Sequence, residues 1–275
     1  MDVRHLGHDR VICAYELDGL VVDPGPASSV SALEGIELRA LLLTHIHLDH
    51  AGATGVLVRA NPGLKVYVHE RGAPHLVDPS KLLASAAKLY GDDNMDRLWG
   101  EVAPVPEENI VALSGGETVE GFRVEYTPGH ASHHVCYLHE DSGHAYTGDV
   151  AGVRIPPGEL TIAPTPPPDI DIEAWGRSLE IVESWSPSAL CLTHFGRYDD
   201  VGEQLERVRR HLAEWGPLAR ELDSEAFVQR LRERVRESAD DETRSRYEQA
   251  APADQMYLGL ERYWRKKAER ETAAA

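Results

Sequence analysis

Six consecutive positions, His45-Ile46-His47-Leu48-Asp49-His50, carry three imidazoles and a carboxylate. Neutral imidazole and carboxylate are the ligand types that suit zinc and other borderline divalent metals, so the run reads as part of a metal site. The preceding Arg39-Ala40-Leu41-Leu42-Leu43 reads as a short buried strand. The ligands would therefore stand where a strand gives way to a loop, a common place for a functional site on an α/β sheet.

Three more candidates follow apolar runs in the same manner. Tyr126-Thr127-Pro128-Gly129-His130 sets a His after a strand and a Pro-Gly turn, Tyr146-Thr147-Gly148-Asp149 sets a carboxylate after a strand and a Gly, and Leu192-Thr193-His194 sets another His. Taken singly, a His or Asp in such a place is most often a surface or capping residue. Taken with the run at 45–50, they imply four strand ends converging on one edge.

The elements that must position these residues are legible in outline. Arg10 to Leu17 and Leu20 to Asp23 read as strands joined at Asp18-Gly19, a dipeptide suited to a tight hairpin, and Asp23-Pro24-Gly25-Pro26 then breaks into a loop. After the ligand run, Ala51 to Ala60 reads as helix, Asn61-Pro62-Gly63 as a turn and Lys65 to Val68 as a strand. Residues 72–100 read as helical on the stripe Leu82, Leu83, Ala86, Ala87, Leu89. Pro104-Val105-Pro106 reads as a connector to a second strand-rich half: Ile110 to Leu113, Phe122 to Tyr126, His134 to Leu138 and His144 to Thr147. A helix over Ile170 to Trp185, opened by Asp169 or Asp171, and a strand over Ala189 to Thr193 complete it.

Beyond Arg197 the chain turns to charged helical sequence: Val201 to Trp215, Ser224 to Glu237 and Pro252 to Lys267, with Glu269 to Ala275 expected to fray. This suggests a catalytic region over 1–200 and a helical extension over 201–275 that packs on it or caps it. Tyr257, Tyr263 and Trp264 offer aromatic walls for a pocket, but Met256, Tyr257, Leu260 and Trp264 recur at helical spacing and read better as a packing stripe.

Composition narrows the partners. A formal charge of -18 disfavours general attraction to a nucleic-acid backbone, which depends on clustered Lys and Arg. Small-molecule substrates are the better expectation, and a homodimer is compatible with a chain of this kind. The first residues lack an apolar signal region and no long apolar span appears, so a cytoplasmic location with no membrane partner is expected. Cys13, Cys136 and Cys191 lie in apolar runs and read as buried thiols.

On its HxHxDH run (His45, His47, Asp49, His50), together with His130, Asp149, His194 and the early Asp23-Pro24-Gly25 loop, the chain resembles the metallo-β-lactamase-fold hydrolase superfamily over roughly residues 1–200. The resemblance points to the glyoxalase II-like and lactonase-like branch. It implies an α/β fold, the four-layer αββα sandwich, followed here by the helical extension. It further implies one metal held by His45, His47 and His130, a second held by Asp49, His50 and His194, and Asp149 bridging them. Zinc is the first expectation for both ions, with iron or manganese as alternatives. A carboxylate in the bridging position departs from the true β-lactamases and argues against antibiotic hydrolysis.

The expected activity is hydrolysis of an ester-like bond (thioester, lactone or a related small acyl compound) by a metal-bridging hydroxide, which needs no side-chain base. Asp49 would be both a ligand and a proton carrier to the leaving group. Asp23 is expected to support the first cluster, and His134 to lie beside the site or line the substrate pocket. His69, His75 and His133 are expected to be structural or solvent-facing, and His5, His8, His139, His144 and His211 structural. A non-haem iron oxidoreductase acting on a persulfide is the alternative reading of the same ligands, and a phosphodiesterase a weaker one. The tail does not resemble a flavodoxin domain and lacks the basic character of a nuclease.

Overall fold

The computed structural model describes residues 1–274 and places two β-sheets face to face between helical layers. The first sheet begins with β1 (Tyr15–Leu17) and β2 (Leu20–Val22), an antiparallel hairpin whose turn residues Asp18 and Gly19 both have positive φ, 49° and 81°. This is the geometry that a two-residue hairpin with matching strand twist requires. The strand expected over Arg10 to Leu17 is confined to its last three residues. Ahead of them the chain is buried but bonded elsewhere, with Cys13 N–H donating to Thr193 O.

From β2 the chain crosses to β3 (Ala40–Leu42), then through short helices α1 (Leu48–Ala51) and α2 (Thr54–Ala60) to β4 (Lys65–His69). Three helices come next, α3 (Ala73–Val77), α4 (Ser80–Tyr90) and α5 (Asp92–Trp99), in place of the continuous helical stretch expected over 72–100. The breaks fall at Asp78-Pro79 and at Gly91, whose φ of 81° is left-handed and ends a helix at little steric cost. After them, β5 (Ile110–Leu113) pairs in parallel with β4 and completes the sheet order β1-β2-β3-β4-β5. Ile110 to Leu113 thus belongs to the first sheet, and the passage between sheets falls after it rather than at Pro104-Val105-Pro106. A strand run names no partner, because pairing is decided by crossover geometry outside the run.

The second sheet contains β6 (Thr118–Val119), β7 (Phe122–Tyr126), β8 (Val135–His139) and β9 (His144–Gly148). After the small β10 (Val153–Arg154) and β11 (Thr161–Ile162) ribbon come α6 (Ile172–Ser184), β12 (Ala189–Leu192) and β13 (Gly196–Tyr198), giving the order β13-β12-β9-β8-β7-β6. Asp171 caps α6 by accepting from Ala174 N–H at 2.8 Å.

Alternation along the strands builds the layers. Leu20, Val22, Ala40 and Leu42 face Phe122, Val124, Val135 and Tyr137 across the sheet-to-sheet interior. Val21, Leu41, Leu43, Val66 and Val68 face outward onto Leu57, Val58 and Leu76. On the far side, Cys136, Ala145, Leu190 and Leu192 pack against Trp175, Leu179 and Val182 of α6. The three cysteines are free and buried.

The helices α7 (Val201–Glu221), α8 (Ser224–Ser238), α9 (Asp241–Ala250) and α10 (Ala253–Ala274) continue that last layer. Leu205, Val208, Leu212, Trp215, Phe227, Leu231, Tyr247, Met256 and Leu260 share one hydrophobic cluster with α6 and the second sheet. The helix α7 runs through Gly216-Pro217 instead of ending at Trp215, because Ala219 beyond the proline also packs into the core. The helix α9 carries no apolar period to announce it: its composition is polar, and its anchors are the Asp240 cap and buried Tyr247. The chain expected to fray from Glu269 is helical to Ala274, and Ala275 lies outside the described residues. No helix among the described residues is long and apolar enough to cross a membrane.

Candidate metal centre

Each candidate ligand stands just past the carboxyl end of a strand. Residues 45–50 follow β3, His130 follows β7, Asp149 follows β9 and His194 follows β12. The strand ends meet tightly. Gly148 has φ +48°, and a Cβ there would stand 2.5 Å from Thr44 Oγ1 and 2.7 Å from His134 Nε2. Only a residue without a side chain allows β9 to reach Asp149 at that spacing.

The ring nitrogens sort themselves by their second contacts. His130 Nδ1 donates to Pro164 O at 2.9 Å, His194 Nδ1 to Val11 O at 2.6 Å, and His50 Nδ1 to Asp23 Oδ2 at 2.9 Å. Holding the proton on Nδ1 leaves each Nε2 as a bare lone pair directed inward. His45 Nδ1 lies 3.1 Å from Thr44 Oγ1, which itself donates to Asp23 Oδ2 at 2.7 Å, and the same tautomer follows for His45.

Inside this ring, the ligand atoms fall into groups. His45 Nε2 and His130 Nε2 each stand 3.0 Å from His47 Nδ1. His194 Nε2 is 3.3 Å from Asp49 Oδ2, and His50 Nε2 is 3.8 Å from it. Asp149 faces both groups, with Oδ2 3.2 Å from His130 Nε2 and Oδ1 3.3 Å from His50 Nε2. Three sets meet the spacing of metal ligands: His45, His47 and His130; His45, His50 and Asp149; Asp49, His50 and His194. His50 Nε2, His194 Nε2 and Asp149 Oδ1 are buried and have no hydrogen-bond partner. Buried polar atoms without partners are costly, and a cation among them would satisfy all three. The donor set therefore fits divalent metal.

Electrostatics divide the cluster in the same way. Burial, reinforced by neighbouring imidazoles, drives His45 well below its ordinary value and His47 down to about 4. Burial opposes protonation of His50 and His194 too, but Asp149 and Asp49 prevail and push both up. Burial disfavours ionised Asp49 and Asp149, yet the surrounding histidines hold both carboxyls below the usual range. Neutral imidazoles and ionised carboxylates are the forms that ligate metal, so His45, His47, His130 and the two aspartates already favour them, whereas His50 and His194 would release a proton to a bound cation.

Asp23 is fully buried and accepts four hydrogen bonds: from Thr44 N–H, Thr44 Oγ1, His50 Nδ1 and Thr193 Oγ1. The ligand candidate it touches in the 45–50 run is His50, and it reaches His45 only through Thr44. The spacing in sequence could not reveal this, because His50 is turned back toward Asp23 by α1. His134 is fully buried, with Nδ1 3.0 Å from Thr127 Oγ1 and its ring 5.0 Å from that of His45. It lies beside the cluster but outside the three ligand sets.

A cavity of about 310 Å³ opens on Asp49, Asp149 and His194. Three histidines expected to be structural or solvent-facing line it: His5, stacked on Trp99 at 5.5 Å; His75; and His133, 5.7 Å from His47. No local pattern could have marked them, since they reach the cavity from three separate loops and helices. His69 is buried against Tyr126, and His211 is buried against Trp215. The extension contributes Gln249, Ala250, Gln255 and Met256 to the cavity, at the junction of α9 and α10. The aromatic residues that could have walled it lie elsewhere: Tyr257 packs on Phe227, Tyr263 donates to Glu173, and Trp264 donates to Gly216 O.

Comparison with known proteins agrees with this architecture. The family model described as the metallo-beta-lactamase superfamily matches residues 11–194. A metallo-beta-lactamase fold-containing protein, ST1585 of Sulfurisphaera tokodaii, is 29% identical over 195 residues, covering 68% of this chain and 71% of its own. Its crystal structure superposes with a TM-score of 0.63 over 76% of this chain and 81% of that one. The hydroxyacylglutathione hydrolase GloC of Haemophilus influenzae is 27% identical over 139 residues, 49% of this chain and 62% of that protein. A di-iron-bound structure of TTHA1623 is 25% identical with a TM-score of 0.55, covering 71% of this chain and 92% of that one. With two facing sheets, a histidine and aspartate cluster at their strand ends and a family match from Val11 to His194, this chain belongs to the metallo-beta-lactamase superfamily.

Proposed function

We propose that this chain is a binuclear metal-dependent hydrolase of an ester-like bond in a small acyl compound, a thioester or a lactone. The observation that carries the proposal is Asp149, whose two oxygens face two separate histidine groups while Oδ1 has no partner in the protein. His45, His47 and His130 would hold one ion, Asp49, His50 and His194 the other, and Asp149 both. Zinc is proposed for both positions, with iron as the alternative because TTHA1623 is known in a di-iron-bound form. The relatives named hydroxyacylglutathione hydrolases support a thioester substrate.

When bound, a pair of divalent ions supplies an acidified water and polarisation of the scissile carbonyl. The chain's own contribution is to orient and to exclude solvent. Asp49 is the most open carboxylate of the set, its side chain 25% exposed against 5% for Asp149, and it lines the cavity. It is therefore placed to carry a proton to a leaving group. Asp23, Pro164 O and Val11 O hold the imidazoles in one tautomer.

The test is metal analysis of the purified protein followed by a screen of thioesters, lactones and phosphodiesters. Two equivalents of metal per chain and metal-dependent cleavage of an acyl substrate are expected. One iron per chain with oxygen consumption and no hydrolysis would establish the oxidoreductase reading instead.

A further inference from the structure

The cavity changes character along α4. Lys81, Leu82, Ser85, Ala86, Leu89 and Tyr90 line it, a helix face about 13 Å long at the rise of an α-helix. His75 stands near Lys81, both acting on Asp78, and Arg71, four residues before His75, lines the cavity as well. Arg71 Nη1 donates to Tyr126 Oη at 2.8 Å, and Tyr126 Oη donates to Ser132 O at 3.0 Å, which holds the guanidinium near Ser132 and His133. Among the described residues neither Arg71 nor Lys81 is ion-paired with a carboxylate. Of the carboxylates around it, Asp169 accepts from Ser132 Oγ at 2.5 Å, and Asp78 accepts from Ser80 N–H and feels the charge of Lys81 without forming an ion pair with it. In a chain of net charge -18, two unpaired cations at the mouth of a cavity run against the overall balance.

The opposite end is apolar. Trp99 is buried, meets Tyr90 edge-on at 5.0 Å and forms a satellite cluster with Leu48 and Ala86. Ile12 and Met256 add further apolar surface to the lining. The ligand cluster opens between the two ends. His133, at the Arg71 end, lies beside His47, whereas His5, stacked on Trp99, feels the charges of Asp49 and His194. A pocket with an apolar body and a few placed polar groups selects by both.

We propose that the substrate is an amphiphilic ester or thioester that straddles the cluster, with an apolar arm against Leu89, Tyr90 and Trp99 and an anionic group at Arg71 and Lys81. The proposal rests on the hydrolase reading above and supplies its substrate class. The groups that read the two arms come from the turn between β4 and α3 and from α4 and α5, outside the ligand loops.

The test uses N-alkylsuccinamates, whose amide stands in for the ester and resists cleavage, titrated calorimetrically into the purified protein. From methyl to octyl, binding should tighten about two- to fourfold per methylene. N-octylbutyramide, which lacks the carboxylate, should bind about tenfold more weakly than N-octylsuccinamate. The double variant Arg71→Met with Lys81→Met should erase that difference and leave N-octylbutyramide binding unchanged. Leu89→Ser should flatten the chain-length dependence and leave the carboxylate effect intact.

Equal binding of the methyl and octyl compounds, or a carboxylate effect that survives the double variant, overturns the proposal. The matching monoalkyl succinates separate it from the hydrolase reading. Cleavage of these esters with no preference for chain or charge defeats the substrate class alone. Amide binding as expected, with no ester cleaved by metal-replete protein, supports the amphiphile pocket and overturns hydrolysis.

Discussion

Asp23 Oδ2 lies 2.9 Å from His50 Nδ1, and the pair joins the end of β2 to the first turn of α1 in a place that water does not reach. The same oxygen accepts from Thr44 and Thr193, so one carboxylate ties three strand ends to the ligand shell.

Asp23→Ala should therefore act on both fold and metal. It leaves four buried donors without an acceptor, a loss of about 3 kcal/mol or more, and frees the His50 ring, which should weaken metal binding about 10- to 100-fold. Asp23→Asn should lose less stability. Chemical denaturation with chelator competition measures both, and an alanine variant with unchanged metal affinity would refute the orienting role.

Asp149→Asn keeps the volume of the side chain but removes its charge and turns one ligand atom into a donor. Metal content should fall below two per chain, and turnover by about 100-fold or more. Full metal content with full turnover would show that Asp149 does not bridge.

The two glycines Gly148 and Gly176 predict opposite signs. Gly148→Ala places a Cβ against Thr44 and His134 at positive φ and should cost at least about 1–2 kcal/mol. Gly176 lies in α6, and a methyl group added there would meet nothing within 4 Å, so Gly176→Ala should raise stability by up to about 1 kcal/mol. Thermal unfolding of the pair decides it.

His211 makes stability sensitive to acid without touching the metal centre. Burial, helped by Arg234, lowers it to about 3, while Ala163 N–H donates to its Nδ1 at 3.3 Å. As pH falls from about 6.5 toward 3, the unfolded chain takes up a proton that the folded chain refuses, so stability is lost on the acid side. The slope from this residue is about 1.4 kcal/mol per pH unit. His211→Gln should flatten the dependence between pH 4 and 6 by about that much relative to the parent; parallel curves would falsify the assignment.

The ligand run is readable because its residues are neighbours in the chain. A strand fixes the direction in which its next residues leave the sheet, so a His or Asp just past β3, β7, β9 or β12 is bound to emerge at the same edge once the strands pair. The hairpin at Asp18-Gly19 is readable for a similar reason, since two backbone conformations suffice to make it. The membership of β5 is not, because Ile110–Leu113 would pair equally well with any apolar strand and its partner is chosen by the path through α3, α4 and α5.

The contacts that shape the cavity obey the same division. His5, His75, His133, Trp99 and Met256 come from five distant stretches and share no period, so nothing local links them. Asp23 is recognisable as a member of the site, but its choice of His50 depends on how α1 turns back toward β2. Short-range stereochemistry is encoded within a few residues and can be read there. Which face meets which is set by the packing of whole layers, and it exists only once the two sheets and the helices α7 to α10 have closed around the cluster.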